Sequence, residues 1–372
     1  MPSILMLLSK PYPHDTRVKR EARSLSATMH DVRVLSWNRE RSKFDSDGSQ
    51  EGIKVSLIGP RCPERSFRSF ILKLPIFWIS CLRMSKNIQF NVVHAHDFDT
   101  LPIGYLISKL RGARLVYDAH ESYADMIVGE APKWIISWVI RIEGMLQKRA
   151  DVVIASNPKV AERIGAKRSI IVMNCPSKGE LAESVLEVSP KERTGDLILG
   201  YFGSLEPGRF IGEAMVVIPD QKQYKLVIAG DGTLIRRVKE FASKSDQIAY
   251  FGLLSHSEVI KRSKQCYAML IMFDPSNRNN RIGAPNRLFE AMAMGIPVIV
   301  TDNTLAAEIV KKEKCGFACK YDIFAFIALL KELRNRIPEA AEAGSQGRAA
   351  YEREYNWEAQ VSKMLDAYSR LS

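Results

Sequence analysis

No stretch of this 372-residue chain supplies the roughly 18 uninterrupted apolar residues that a membrane span requires. Cysteine is scarce, with six in all. The only close pair, Cys315 and Cys319, has no second pair or histidine cluster beside it, which excludes a disulfide framework and favours reduced structural thiols over zinc. The loop after the first apolar run, Ile4 to Leu8, has no glycine, so the G-x-G-x-x-G turn of a dinucleotide oxidoreductase is absent. An Asp-x-Asp pair suited to a divalent ion is missing from the second half, since Asp97 and Asp99 lie in the first. The opening MPSILMLLSKPYPHDTR has no basic segment ahead of its short apolar run and a proline-rich break behind it, and so reads as a buried first strand and not a signal peptide. These absences leave a cytoplasmic globular protein as the expectation.

Basic charge, by contrast, is plentiful. The formal charge of +12 implies an anionic partner. From Arg61 to Asn87 six basic residues and one acidic residue interleave with Phe67, Phe70, Ile71, Leu74, Ile76, Phe77, Trp78 and Ile79. Such a segment suits docking at an anionic inner membrane face; the competing reading is a core helix with a solvated basic face, interrupted at Pro75. A second stretch, Lys133 to Arg149, places Trp134, Ile135, Trp138 and Ile142 at helical spacing, which reads as core packing. Nucleic acid is disfavoured, because the basic residues interleave with aliphatic ones and no nucleic-acid module is present.

At this length two domains are expected. In the first half Ile4–Leu8, Val32–Trp37, Val55–Ile58, Val92–His96, Leu115–Asp118 and Val152–Ala155 read as strands, with helices at 17–27, 101–110 and 134–149. The polar segment from Ser177 to Asp196 reads as a connection. A second series follows, with strands at Leu197–Phe202, Lys225–Ala229, Ala249–Phe251, Ala268–Phe273 and Pro297–Val300, and helices near 211–217, 234–243 and 257–265. Alternating order implies two parallel sheets covered on both faces, with ligands at the strand carboxyl ends. Those ends carry His14 and Asp15, His96 and Asp97, and His120 and Glu121.

The stretch RIGAPNRLFEAMAMGIPVIVTD, Arg281 to Asp302, is the most informative. Pro285 suits a first helical turn, Gly295 suits a C-terminus needing positive φ, and Pro297 prevents continuation, so a helix is expected from about Pro285 to Met294. Its N-terminus, with Arg281 and Arg287 nearby, would hold an anion. Glu290 shares a face with Asn286 and Arg287, and there it suits sugar hydroxyls better than phosphate.

Several pieces together carry a family resemblance: LGYFGSLEPGRF (199–210), KLVIAGDG (225–232), IAYFGLLSHSEV (248–259) and PNRLFEAMAMGIPVIVTD (285–302) in the second half. In the first half they are HDTRVKREARSL (14–25), VVHAHD (92–97), YDAHES (117–122) and ADVVIASN (150–157), with NWEAQVSKMLDAYSRL near the end. In order and spacing the chain resembles the retaining glycosyltransferases of family 4. The resemblance implies the GT-B fold, with two facing Rossmann-like domains and a C-terminal helix crossing back to the first. Residues 1–180 with 357–372 would bind the acceptor, and residues 195–356 the donor.

The resemblance also implies roles. Glu290 matches the second glutamate of the family's paired motif and would take the ribose hydroxyls. Ile282 stands in place of the first, leaving the backbone at Gly283 and Ala284 to meet the donor sugar. Pro285, Asn286, Arg287 and Leu288 form the adjoining helix start. Gly203 would approach the diphosphate, and Ser204 replaces a frequent arginine. Arg209 would neutralise the leaving charge with help from Arg281 or Arg287. Gly230 borders the nucleotide. His120 would position the donor sugar, while His14, Asp15, Arg17, His96 and Asp97 lie on the acceptor side.

The implied reaction is transfer of a sugar, of hexosyl type, from a UDP- or GDP-sugar co-substrate to an acceptor hydroxyl with retained configuration. No metal and no further cofactor is expected, and a lipid-linked or envelope glycan acceptor fits the basic segment. A non-catalytic nucleotide-sugar-binding subunit and a nucleotide-sugar epimerase are the alternatives.

Overall fold

The computed structural model describes residues 3–12, 15–39, 49–50, 53–62, 67–180 and 195–371. His14, residues 63–66 of the basic segment and residues 181–194 of the expected connection lie outside them. The chain divides into two compact units, Met1–Asn174 with Gln360–Ser372, and Cys175–Ala359.

The first unit is built on eight strands: β1 (Ile4–Leu8), β2 (Val32–Trp37), β3 (Ser49–Gln50), β4 (Ile53–Ile58), β5 (Val92–His96), β6 (Arg114–Ala119), β7 (Val152–Ala155) and β8 (Ser169–Ile171). They lie in the order β3-β4-β2-β1-β5-β6-β7-β8, parallel except for the β3–β4 pair. Their Val- and Ile-rich runs are buried because helices cover both faces of a parallel sheet. Register sets Ile4 beside Val92, and His96 beside Asp118, at the carboxyl end.

Helix α1 (Thr16–Ala27) starts where Asp15 accepts a hydrogen bond from the Val18 amide at 3.0 Å. The others are α2 (Phe67–Ser85), α3 (Leu101–Arg111), α4 (Tyr123–Met126), α5 (Lys133–Leu146) and α6 (Pro158–Ile164). From Gln360 onward the last helix, Trp357–Ser369, belongs to this unit, and its Tyr368 hydroxyl lies 2.7 Å from His94 Nδ1.

Two expectations need correction here. Pro75 does not interrupt the basic segment: α2 runs through it, with Pro75 on the solvent side where water can satisfy the carbonyl it leaves unbonded. Trp134 and Trp138 are not core residues; they are 66% and 60% exposed. The packed stripe of α5 is Ile135, Val139 and Leu146, and a residue one position earlier turns about 100° away from it.

The second unit has six parallel strands: β9 (Leu197–Phe202), β10 (Tyr224–Ala229), β11 (Ile248–Tyr250), β12 (Ala268–Ile271), β13 (Val298–Thr301) and β14 (Gly316–Cys319), ordered β11-β10-β9-β12-β13-β14. Leu199, Phe210, Leu226, Ile228, Leu270 and Phe326 form its core on one side of the sheet. All six cysteines are free and buried. Among the described residues no helix is long and apolar enough to cross a membrane.

Candidate functional site

In the second unit the loops after β9 and β10 meet backbone to backbone. The Gly203 amide donates to Ala229 O at 3.0 Å, and the Leu205 amide donates to Asp231 O at 2.9 Å. Gly230 has φ +143°, and a Cβ there would lie 1.8 Å from Gly203 O. Only glycine permits both the conformation and the approach. The Tyr201 hydroxyl fixes the turn by donating to Ser204 O at 2.5 Å, and leaves the Ser204 residue exposed.

Arg209 ends this loop with its guanidinium 4.1 Å from the centre of the Phe273 ring, in the range of a cation–π contact. The Asp274 amide donates to Gly208 O at 2.9 Å, so this loop and the segment after β12 are tied together. Asp274 was not singled out by the sequence reading; it follows the strand end without a motif of its own.

That segment forms a short helix, Arg278–Ile282, capped by Asn277. Arg281 is exposed, and Gly283 and Ala284 are half-buried between this helix and the next. The following helix is Asn286–Ala293, so Pro285, the expected first residue, is its N-cap. Proline offers no side-chain acceptor, and no side chain caps this helix. Leu288 is buried beneath its first turn. Gly295 has the expected positive φ, +67°.

Arg287 forms an ion pair with Glu290 one turn on, so it already has a partner as the second cation proposed beside Arg209. The Arg287 side chain is 33% exposed and that of Glu290 only 13%.

In the first unit the predicted residues lie at the carboxyl ends of β5 and β6 and at the start of α1. Arg17 and His96 are buried. Arg17 donates to Asp118 Oδ1 at 2.8 Å and Oδ2 at 3.2 Å, and to Val172 O at 2.7 Å. His96 Nδ1 lies 3.4 Å from Asp118 Oδ2. Asp15 serves as the N-cap of α1. Asp97 adopts φ +61°, a conformation uncommon outside glycine and held here by its amide bond to Asp118 O at 2.9 Å and by its Oδ1 accepting from the His120 amide at 3.1 Å.

Both ring nitrogens of His120 face carboxylates: Nδ1 is 3.5 Å from Asp97 Oδ2 and Nε2 is 3.0 Å from Asp118 Oδ2. Burial lowers its proton affinity, but the charges of Asp97 and Asp118 outweigh that and raise the pKa to about 9. Burial also opposes ionisation of Asp118, yet Arg17 and His120 hold it well below the usual carboxylate range. Lys10, another residue the sequence reading missed, lies 3.6 Å from Asp97 and is pushed upward by its charge.

Glu21, His94, His96 and Asp118 each place a donor atom within 4.8 Å of the others, a spacing that a divalent ion could bridge. The Arg17 guanidinium bonds both Asp118 oxygens and lies 2.9 Å from Glu21 Oε1. The charge of Asp118 is therefore already met by Arg17, and the quartet is not assigned as a metal centre.

Comparison with known proteins agrees with this architecture. Residues 15–170 match the profile described as Glycosyltransferase Family 4, and residues 196–336 match Glycosyl transferases group 1. EpsD of Bacillus subtilis (strain 168), which carries a glycosyltransferase name, is 25% identical over 77% of this chain and 78% of its own. Sucrose-phosphate synthase from Thermosynechococcus elongatus superposes with a TM-score of 0.80 at 16% identity over 99% of both chains. Anabaena HepE, solved with UDP and glucose, superposes with a TM-score of 0.69 at 16% identity, covering 99% of this chain and all of its own. The fold is thus that of GT-B glycosyltransferases, two Rossmann-like domains with parallel sheets.

Proposed function

The chain belongs to the family 4 and group 1 glycosyltransferases, and we propose that it transfers a sugar from a nucleoside diphosphate sugar to an acceptor hydroxyl with retention, in the assembly of a cell-surface glycan, polysaccharide or glycolipid. The observation that carries this reading is the start of the Asn286–Ala293 helix, which has no side-chain cap and bears the Arg287–Glu290 pair on its first turns. The positive end of the helix dipole suits a diphosphate, and Glu290 suits ribose hydroxyls. HepE, with the same fold, was solved with UDP, which supports a UDP-linked donor.

Bond cleavage places negative charge on the departing diphosphate. Arg209, stacked on Phe273, and the helix amides are the groups that stabilise it, and Gly203 and Gly230 let the backbone come close. The first unit would then take the acceptor, through Asp15 and Asp97 at its strand ends. Calorimetric titration with UDP, GDP and their sugars, followed by transfer assays with NMR of the product anomer, tests the reading. Donor binding with transfer and retained configuration supports it. Binding without turnover points to an accessory subunit, and an isomerised donor to an epimerase.

A membrane-facing role for the first unit is supported by apolar side chains left in solvent among basic ones. Leu72, Ile76 and Ile79 form one exposed stripe on α2, which also carries Arg68, Lys73 and Arg83, and Trp134 and Trp138 form another on α5 beside Lys133 and Arg141. Aromatic and aliphatic groups next to cations suit an anionic lipid surface, and hence a lipid-linked acceptor.

A further inference from the structure

Behind His120 lies a cluster of ionisable groups on five segments. Arg17 and Glu21 come from α1, His94 and His96 from β5, Asp97 from the loop after it, Asp118 and His120 from the end of β6, and Tyr368 from the last helix. Lys10 and Asp15 border it at the end of β1 and the start of α1. Within the cluster Asp118 receives almost every available donor. Arg17 reaches both its oxygens, His120 Nε2 lies at 3.0 Å, and His96 Nδ1 at 3.4 Å.

Glu21, equally buried, is treated differently. Neither of its oxygens takes a hydrogen bond from any described residue. Its Oε2 stands 3.9 Å from His94 Nε2 and 3.8 Å from His96 Nδ1, too far for hydrogen bonds. Arg17 Nε is 2.9 Å from Glu21 Oε1 but is oriented toward Asp118, and Nη1 is spent on Val172 O. A carboxylate sealed from water with no donor is strongly disfavoured, so the group holds its proton instead. Burial, and then the charge of Asp118, push Glu21 well above the ordinary carboxyl range.

We propose that Glu21 is a positioning residue that works by keeping its proton. As a neutral acid it leaves the Arg17 guanidinium to Asp118, and Asp118 together with Asp97 then holds the His120 ring by both nitrogens. An ionised Glu21 would compete for Arg17, whose Nε already lies within reach of both carboxyl groups, and would loosen Asp118 behind His120. The functional consequence rests on the proposed transfer reaction and on the part that the family resemblance gives His120.

The test uses the full chain with ¹⁵N-labelled histidine. In wild type the infrared difference spectrum should contain a protonated-carboxyl band that disappears in Glu21→Gln, and the His120 ring should titrate well above a free imidazole. Glu21→Gln, which mimics the neutral acid, should leave the His120 midpoint in place, whereas Asp118→Asn should lower it by at least one unit. With a donor and acceptor in hand, turnover in Asp118→Asn should fall at least tenfold below that of Glu21→Gln, with a smaller change in KM. Absence of the carboxyl band, or a His120 midpoint that falls as far in Glu21→Gln as in Asp118→Asn, would overturn the proposal. The spectroscopic measurements need no substrate, so they stand even if the proposed transfer reaction fails.

Discussion

Gly230 and Gly203 meet so closely that a methyl group on the former would sit 1.8 Å from the carbonyl oxygen of the latter. The contact joins the loops after two neighbouring strands and also uses φ +143° at Gly230. Gly230→Ala should therefore destabilise the protein by about 3 kcal/mol or more and weaken nucleoside diphosphate binding in parallel. Denaturant unfolding and calorimetry read the two effects, and a loss of under about 1 kcal/mol would show that the loops part easily.

Arg209 is held over Phe273 and is only half-buried. Arg209→Ala should reduce turnover by about a hundredfold while costing at most about 1 kcal/mol of stability. Steady-state kinetics beside thermal unfolding separates the two, and near-normal turnover would remove Arg209 from the chemistry.

Glu290 is paired with Arg287. If it takes ribose hydroxyls, Glu290→Ala should weaken nucleoside diphosphate binding roughly tenfold or more, the worth of a hydrogen bond to a charged group. Binding to a nucleobase-free probe, inorganic pyrophosphate, should change far less. Equal losses for both ligands would mean that Glu290 acts through the phosphate site and not through the sugar.

Stability should decline with alkalinity. The folded pKa of His120 lies above its ordinary value of 6.5, so its contribution is complete below about pH 6.5 and disappears as pH rises through about 9. Glu21, also raised, acts in the same direction. Asp118, lowered, acts in the opposite one, its contribution being lost only as pH falls into the acid range. The His120 share amounts to about 3 kcal/mol at most. Denaturant midpoints between pH 6.5 and 10 should fall in wild type and fall less steeply in His120→Gln; parallel curves would contradict the assignment.

Membrane docking predicts that the exposed apolar residues matter more than the buried ones around them. Replacing Leu72 and Ile76 by glutamate, or Trp134 and Trp138 by serine, should abolish co-sedimentation with anionic vesicles and leave folding intact, since all four side chains are exposed. Wild-type chain that ignores lipid charge would sink this idea.

Much of the architecture was legible because its determinants are local. The strands at Ile4–Leu8, Val32–Trp37, Val92–His96, Val152–Ala155 and Leu197–Phe202 appear where their apolar runs begin and end. Strand β14, GFAC, went unread because it contains no β-branched residue and opens on a glycine. Pro75 misled because its penalty depends on whether solvent reaches the freed carbonyl, and Trp134 because helical spacing gives a stripe without saying which stripe faces inward.

The site divided in the same way. Gly203, Gly230, the Asn286–Ala293 helix and Gly295 were readable, since backbone conformation and helix punctuation are written in neighbouring residues. The fate of Arg17, His96 and His120 was not, because it depends on donors and acceptors as far apart in the chain as Arg17, Asp118 and Val172. Glu21 carried no signal at all. The sequence alone thus determined two parallel α/β halves and the loops at their strand ends, through short-range pattern and turn chemistry. Only the tertiary structure decided which charged groups face solvent and which hold one another, because burial and pairing belong to residues that folding brings together from distant parts of the chain.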